Sequence, residues 1–319
     1  METPEFLTRA LKFVNKNRIP FLVVTVFVIM CFARPRFLSP VNIFGLGENM
    51  ASYGIAAVGL TFVLLCGRLD ISMGSVMALT SCVFLLLAPV FGFAFSLAAA
   101  LLTGCVLGAI TGFFVSFFNL SPFIVSMTMQ IAYRGLALTI TNSTPIQFTE
   151  PVIRAMSRIH LFNIPLVFFI FLAVVLISQF VLSRTKFGRN LYIIGGNIKV
   201  ADSIGINTRV HIWAVYIIQG LLAALSGIML MTRTLSASGN TAMDAPLSII
   251  PMVIVGGTAF VGGKGGAIRT LYGVMLMSIV YNAMSMFNLY VNIQQLIRGA
   301  ILLLIIVSDK YMENRHNKI

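Results

Sequence analysis

The sequence predicts an all-α, polytopic membrane protein, and three observations carry that expectation. Of 319 residues, 58% are hydrophobic and only 10% are charged, whereas a soluble domain holds roughly 25% charged residues. Mean hydropathy is +0.97. About ten apolar segments recur, each near the length of a bilayer crossing, and the basic residues gather at their ends. Lipid gives a loose peptide group no hydrogen-bond partner, so the spans are expected to be helical, and the runs are too long for barrel strands. The whole chain, 1–319, reads as one transmembrane domain.

The first segment covers 19–37 and follows Glu2, Glu5, Arg9, Lys12, Lys16 and Arg18. No cleavable-signal pattern precedes it, so a retained span is expected. Segments at 49–66 and 71–91 follow, separated by Arg68 and Asp70; Pro89 and Gly92 mark the break before 93–118. In that fourth segment Gly104, Gly108 and Gly112 repeat every fourth residue, which in a bilayer makes a face for close helix approach. After Asn119-Leu-Ser-Pro122 comes 121–141, then a loop over 142–162 and a segment at 163–183. The last four lie at 211–231, 246–262, 267–287 and 293–308. The Gly-interrupted stretches 67–74 and 256–266 echo each other, as do Arg134-Gly135 and Arg298-Gly299. Paired breaks of this kind occur in transporters built from repeated halves, so broken or re-entrant segments and an internal repeat, parallel or inverted, are expected.

The net charge of +13 follows the positive-inside pattern and shows no basic stripe with interleaved aromatics, so a nucleic-acid partner is not expected. The N-terminal basic cluster, the cluster between the sixth and seventh segments, and Lys310, Arg315 and Lys318 are separated by even numbers of segments. All three therefore fall on one side, and both termini are expected in the cytoplasm. Arg34, Arg36, Arg154 and Arg158 fall on the other side, a mild exception.

Chemistry-bearing motifs are few. The stretch Gly262-Gly-Lys264 looks like part of a phosphate loop, but Walker spacing needs glycine at 258, which is Thr, and Ser or Thr at 265, which is Gly. His160, His211 and His316 are scattered, and Cys31, Cys66, Cys82 and Cys105 sit in or at the edge of apolar runs without a CxxC. No catalytic site, metal or cofactor is expected. Charges within spans are costly and are usually paired or functional. Asp70, Gln130, Arg134 and Asn282 are the candidate solute-pathway residues on that ground, with a bland alternative for Arg134: binding of backbone carbonyls. No chain of intramembrane carboxylates suited to ion coupling is present, which points to an energy source outside the chain.

The polar island at about 184–210 stands out most. It carries Arg184, Lys186, Arg189, Lys199 and Arg209 against one acid, Asp202, and is punctuated by Gly188, Gly195, Gly196 and Gly205. The stretches between these glycines suit one or two helical turns each. A short helix-turn-helix offered to a cytoplasmic partner has this appearance; an ordinary basic loop needs neither the length nor the glycine placement.

Four stretches in order carry a family resemblance: Gly59 to Ser75, Thr185 to Asn197 with Ala201 and Gly205-Ile206, Gly256-Gly-Thr258, and Gly262-Gly-Lys-Gly265, with Asn282 and Asp309 near the end. Over nearly its whole length the chain resembles the permease subunits of ribose-type ABC importers, a branch that includes arabinose, galactose, xylose and autoinducer-2 permeases. The resemblance implies a bacterial inner-membrane protein paired with a second copy or a paralogue. It also implies ATP-binding cassette subunits on separate polypeptides and a periplasmic or extracellular solute-binding protein. It makes the island the ATPase-coupling segment, through Thr185, Lys186, Phe187, Gly188, Arg189, Gly195, Gly196, Asn197, Ala201 and Gly205. The cargo implied is a monosaccharide or related small polar solute. Departures from the family pattern at Gly67-Arg-Leu-Asp70, Pro246-Leu-Ser248 and Pro251 are expected where solute or the binding protein makes contact. The alternative is a secondary carrier or facilitator; a membrane enzyme or scaffold has no site in this sequence.

Overall fold

A computed structural model describes residues 18–147, 160–161 and 164–316. The basic residues up to Lys16, the pair Arg154 and Arg158, and Lys318 lie outside the described residues. The helices are α1 (Arg18–Ala33), α2 (Pro40–Leu65), α3 (Met73–Ser116), α4 (Pro122–Ile140), α5 (Leu166–Arg184), α6 (Lys186–Gly196), α7 (Ile198–Ser203), α8 (Thr208–Thr234), α9 (Ala245–Val255), α10 (Ala267–Met286) and α11 (Val291–His316). Four two-residue strands pair as β1 (Ile146–Gln147) with β4 (Ser236–Ala237), and β2 (His160–Leu161) with β3 (Ile164–Pro165), both antiparallel.

Six of these helices, α2, α3, α4, α5, α8 and α10, are long and apolar enough to cross a membrane. The predicted segments 71–91 and 93–118 share α3, which bends where Gly92 leaves helical geometry at φ 75°. The second predicted segment begins earlier than expected, at Pro40, because proline at the first helical turn needs no hydrogen-bond donor. Residues 19–33, 245–255 and 291–307 are shorter apolar pieces. The 11 residues of α9 span only about 16 Å, roughly half a hydrocarbon core.

The centre of the bundle is α8, flanked by α2 and α3. Gly104, Gly108 and Gly112 of α3 lie against Gly220 and Tyr216 of α8, so close that a Cβ on any of them would collide with that helix. The predicted close-approach face is therefore the α3–α8 seam. Farther along α8, Gly227 admits Met77 of α3 in the same way. Gly227 is 19 residues beyond Thr208, about 28 Å along the axis, so the first turn of α3 sits deep within the bundle. Segment 66–72 reaches inward to deliver it, and Tyr216 holds this segment by donating to the Leu69 carbonyl at 2.9 Å. Segment 235–244 folds back similarly, with Leu235 and Ala242 both at positive φ. The first turns of α3 and α9 then meet where Gly74 makes room for the Ala242 carbonyl and Pro246. These are the broken, re-entrant pieces the sequence predicts.

The two glycine breaks touch. A Cβ on Gly67 would meet the Val261 carbonyl, and one on Gly262 would meet the Gly67 amide. The Gly256–Gly266 stretch is a tight connection between α9 and α10, closed by the Ala259 amide on the Lys264 carbonyl at 2.9 Å.

Candidate coupling surface and solute site

The island folds as two short helices seated on one end of the bundle. Thr185 caps α6, its Oγ1 accepting from the Gly188 amide at 3.1 Å and donating to the Val181 carbonyl at 2.7 Å. Asn197 ends α6 and caps α7, where its Oδ1 accepts from the amides of Lys199 and Val200 at 3.0 and 3.3 Å. Past α7, Gly205 at φ 82° turns the chain, and the Ile206 amide returns to the Ala201 carbonyl at 3.1 Å. Asn207 then caps α8 by accepting from the Val210 amide at 3.2 Å.

Three of the predicted coupling residues face inward. Gly188 packs on the backbone of Val181 and Leu182, Gly195 on the Leu65 carbonyl and the Gly263 amide, and Ala201 is fully buried. Here the absence of a side chain lets α6 lie on α5 and on the glycine connection, so these residues seat the island on its own bundle. Phe187 stacks on the His211 ring at 5.5 Å, and Asn190 hydrogen-bonds His211 at 3.0 Å. Tyr192 donates to the Gly265 carbonyl at 3.1 Å, and burial raises its phenol above the ordinary value. Lys186, Arg189, Gly196, Asn197 and Gly205 face outward.

The outer surface also carries residues that no sequence motif singles out. Ile198, Val200 and Ile204 are 37, 49 and 60% exposed, and Arg184, Lys186, Arg189 and Lys199 of the same island are exposed as well. The alternation of these apolar residues with Lys199 and Asp202 is their one signal in the sequence.

Each solute-pathway candidate meets its own partners. Asp70 is buried in the re-entrant segment, its Oδ1 accepting from the Ser72 amide and hydroxyl at 2.8 and 2.6 Å. The Gly67–Asp70 departure starts at the end of the bundle where the island docks, because the Gly263 amide hydrogen-bonds the Leu65 carbonyl beside Gly195. From there it runs inward to the buried Asp70 and the first turn of α3, held at Leu69 by Tyr216. Gln130 presents its backbone carbonyl to Ser75 at 2.7 Å. Asn282 pairs with Asn42. Arg134 donates to the Gly239 carbonyl, the bland alternative, while its Nη2 is buried without a hydrogen-bond partner.

Around Arg134, however, other charges gather. Arg233 lies 3.9 Å from Glu48, Gln295 donates to Asp244 at 3.0 Å, and the Arg298 guanidinium sits 4.9 Å from the centre of the Tyr281 ring. Arg233 ends α8 far from the island, and Pro246-Leu-Ser248 adjoins this cluster, with the Ser248 carbonyl accepting from Tyr281 at 3.5 Å.

Residues 42–306 match the family described as branched-chain amino acid transport system / permease component. The chain is 30% identical to the ribose import permease protein of Escherichia coli (strain K12), covering 95% of this chain and 96% of that protein. It is 32% identical to the ribose import permease protein of Bacillus subtilis (strain 168), covering 91% and 92%. It is 29% identical to the L-arabinose ABC transporter permease protein of Azospirillum brasilense, covering 95% and 89%. No solved structure matches it. An all-α bundle with re-entrant half-helices, matched over nearly its full length by these proteins, belongs to the permease-component family of binding-protein-dependent ABC transport systems.

Proposed function

We propose that this chain is the membrane-spanning permease subunit of an ABC importer for a monosaccharide or related small polar solute. A separate ATP-binding cassette subunit drives it, and a periplasmic or extracellular binding protein delivers the solute to a cavity between this permease and a second copy or paralogue. It sits in a bacterial inner membrane as a single permease domain with both termini in the cytoplasm, and it hydrolyses no ATP itself. The family description speaks of branched-chain amino acids, whereas the relatives above are named for ribose and arabinose. Those relatives align over nearly the whole chain and so carry the choice of sugar.

The observation that most supports this reading is the island: two capped helices anchored by Gly188 and Gly195, with Ile198, Val200 and Ile204 and four basic residues exposed along it. A protein-docking surface combines exposed apolar side chains with charged ones. ATPase movement is relayed through this segment, with Lys186, Arg189, Gly196, Asn197 and Gly205 on its outer face and Thr185 and Phe187 holding α6 in place behind it. On the solute side, Arg134 is the candidate that meets other charges, while Asp70, Gln130 and Asn282 position the helices around it. Uptake of labelled D-ribose, L-arabinose and D-allose into liposomes holding the chain, the ATPase and the binding protein tests the proposal. ATP-dependent uptake is expected; uptake that needs neither ATP nor the binding protein replaces this reading with a facilitator.

A further inference from the structure

Six side chains from five parts of the sequence assemble away from the island: Glu48 of α2, Arg134 of α4, Arg233 of α8, Asp244 before α9, and Gln295 and Arg298 of α11. The links are the Arg233–Glu48 contact at 3.9 Å, the Gln295–Asp244 hydrogen bond at 3.0 Å, and the hydrogen bond from Arg134 to the Gly239 carbonyl, in the segment that carries Asp244. Arg233 and Glu48 remain 40 and 24% exposed, so the cluster is open. Arg134 lies 12 residues from Pro122 and six from Ile140, about 18 and 9 Å from the two ends of α4, within a span where charges in contact with lipid are disfavoured. Such a cluster belongs on an aqueous route. Leu235 and Ala242 hold the segment that carries Asp244 in left-handed conformations, a kind of backbone strain that gathers at ligand sites.

We propose that this cluster is a solute-binding site of the permease and that it takes a neutral polyhydroxylated molecule. This rests on the import reading above and extends it to the residues and to the charge class of the cargo. Buried donors are left over: Arg134 Nη2 and Arg298 Nε have no hydrogen-bond partner. Acceptors remain on the carboxylates of Asp244 and Glu48, each of which accepts more bonds than a single partner supplies. A hydroxyl answers both needs, accepting from a guanidinium and donating to a carboxylate. An anionic solute would face Asp244 and Glu48, and a cationic one would face three guanidiniums. The Tyr281 ring under Arg298 holds that side chain in place.

Saturation-transfer NMR on the full chain in lipid nanodiscs, with no ATPase or binding protein, tests the site directly. The probes are D-ribose, D-gluconate and D-glucosamine. Transfer to D-ribose is expected, at least tenfold above either charged probe. Arg134→Met and Arg298→Met are expected to cut it at least tenfold, whereas Arg134→Lys keeps part of it and reports on the site even if Arg134→Met misfolds. Asp244→Asn is expected to bring up the D-gluconate signal, which a purely structural role would not do. Absence of D-ribose transfer to the unmodified chain, equal transfer to D-gluconate, or unchanged transfer in folded Arg134→Met and Arg298→Met overturns the proposal. The import reading is judged separately by the ATP dependence of liposome uptake, so each can fail without the other.

Discussion

Asn42 and Asn282 exchange hydrogen bonds across 240 residues of sequence: the Asn282 amide donates to Asn42 Oδ1 at 2.7 Å and the Asn42 amide to Asn282 Oδ1 at 3.3 Å. Asn42 also donates to the Phe37 carbonyl at 2.8 Å, which ties the start of α2 to the turn before it. A reciprocal amide pair locks α2 to α10 and leaves little of the Asn282 side chain for a passing solute. Interhelical hydrogen bonds in bilayers are worth about 0.6 kcal/mol on average and up to about 1.7. Asn282→Leu is expected to lower stability by an amount in that range while uptake per folded molecule stays within twofold. A double-mutant cycle with Asn42→Leu, read by thermal unfolding in detergent, should show coupling between the two; additive effects would mean that the pair does not act as a clamp.

The island separates residues that seat from residues that meet a partner, and the two groups should fail differently. Gly188→Trp puts a ring into the Val181 and Leu182 backbone, so α6 must lift off and the chain should lose thermal stability. Arg189→Glu and Ile204→Glu change exposed positions, where substitutions usually move stability by under about 0.5 kcal/mol. ATP-driven uptake should nevertheless fall at least tenfold in both, with the melting temperature of the isolated chain unchanged. Uptake at the unmodified level in Ile204→Glu would remove Ile204 from the coupling surface.

Gln219 is fully buried on α8, and neither of its amide atoms meets a hydrogen-bond partner. It lies against Gly59 of α2, where a Cβ would collide with its Oε1. Leaving a buried polar group unsatisfied costs about 1–3 kcal/mol. Gln219→Leu is therefore expected to raise the unfolding temperature, and Gly59→Ala to lower it. A fall in stability for Gln219→Leu would show that the amide is satisfied in the membrane.

Much of this arrangement is legible in the amino-acid sequence alone. The caps Thr185 and Asn197 and the turn at Gly205 mark the island helices, because capping is local chemistry. Gly104, Gly108 and Gly112 announce a close seam, though not that Gly220 and Tyr216 of α8 lie across it. The charge cluster is legible only in part. Arg134, Arg298 and Glu48 are conspicuous inside apolar runs, but Arg233 ends a helix and Asp244 sits in a loop, where charges are ordinary. Only the fold-back of residues 235–244 brings them together, and that bend depends on the Gly74 contact between α3 and the start of α9. Likewise, Asn282 is visibly polar, but its partner lies 240 residues away.

The glycines give a last test of whether packing or lipid exposure governs these helices. Gly108 sits where a Cβ would strike the Tyr216 carbonyl and the Gly220 backbone, whereas Gly135 and Gly299 have open space around them. Close backbone approach of this kind drives helix association in membranes, and α8 cannot withdraw from α3 without also pulling Tyr216 from the Leu69 carbonyl. Gly108→Val should therefore abolish accumulation of folded protein. Gly135→Ala and Gly299→Ala should be neutral or slightly stabilising, since each removes backbone freedom from a helix interior without a clash. Expression and monodispersity in mild detergent distinguish these outcomes, and a well-folded Gly108→Val would show that the α3–α8 seam is looser than the packing of Gly108 on Tyr216 requires.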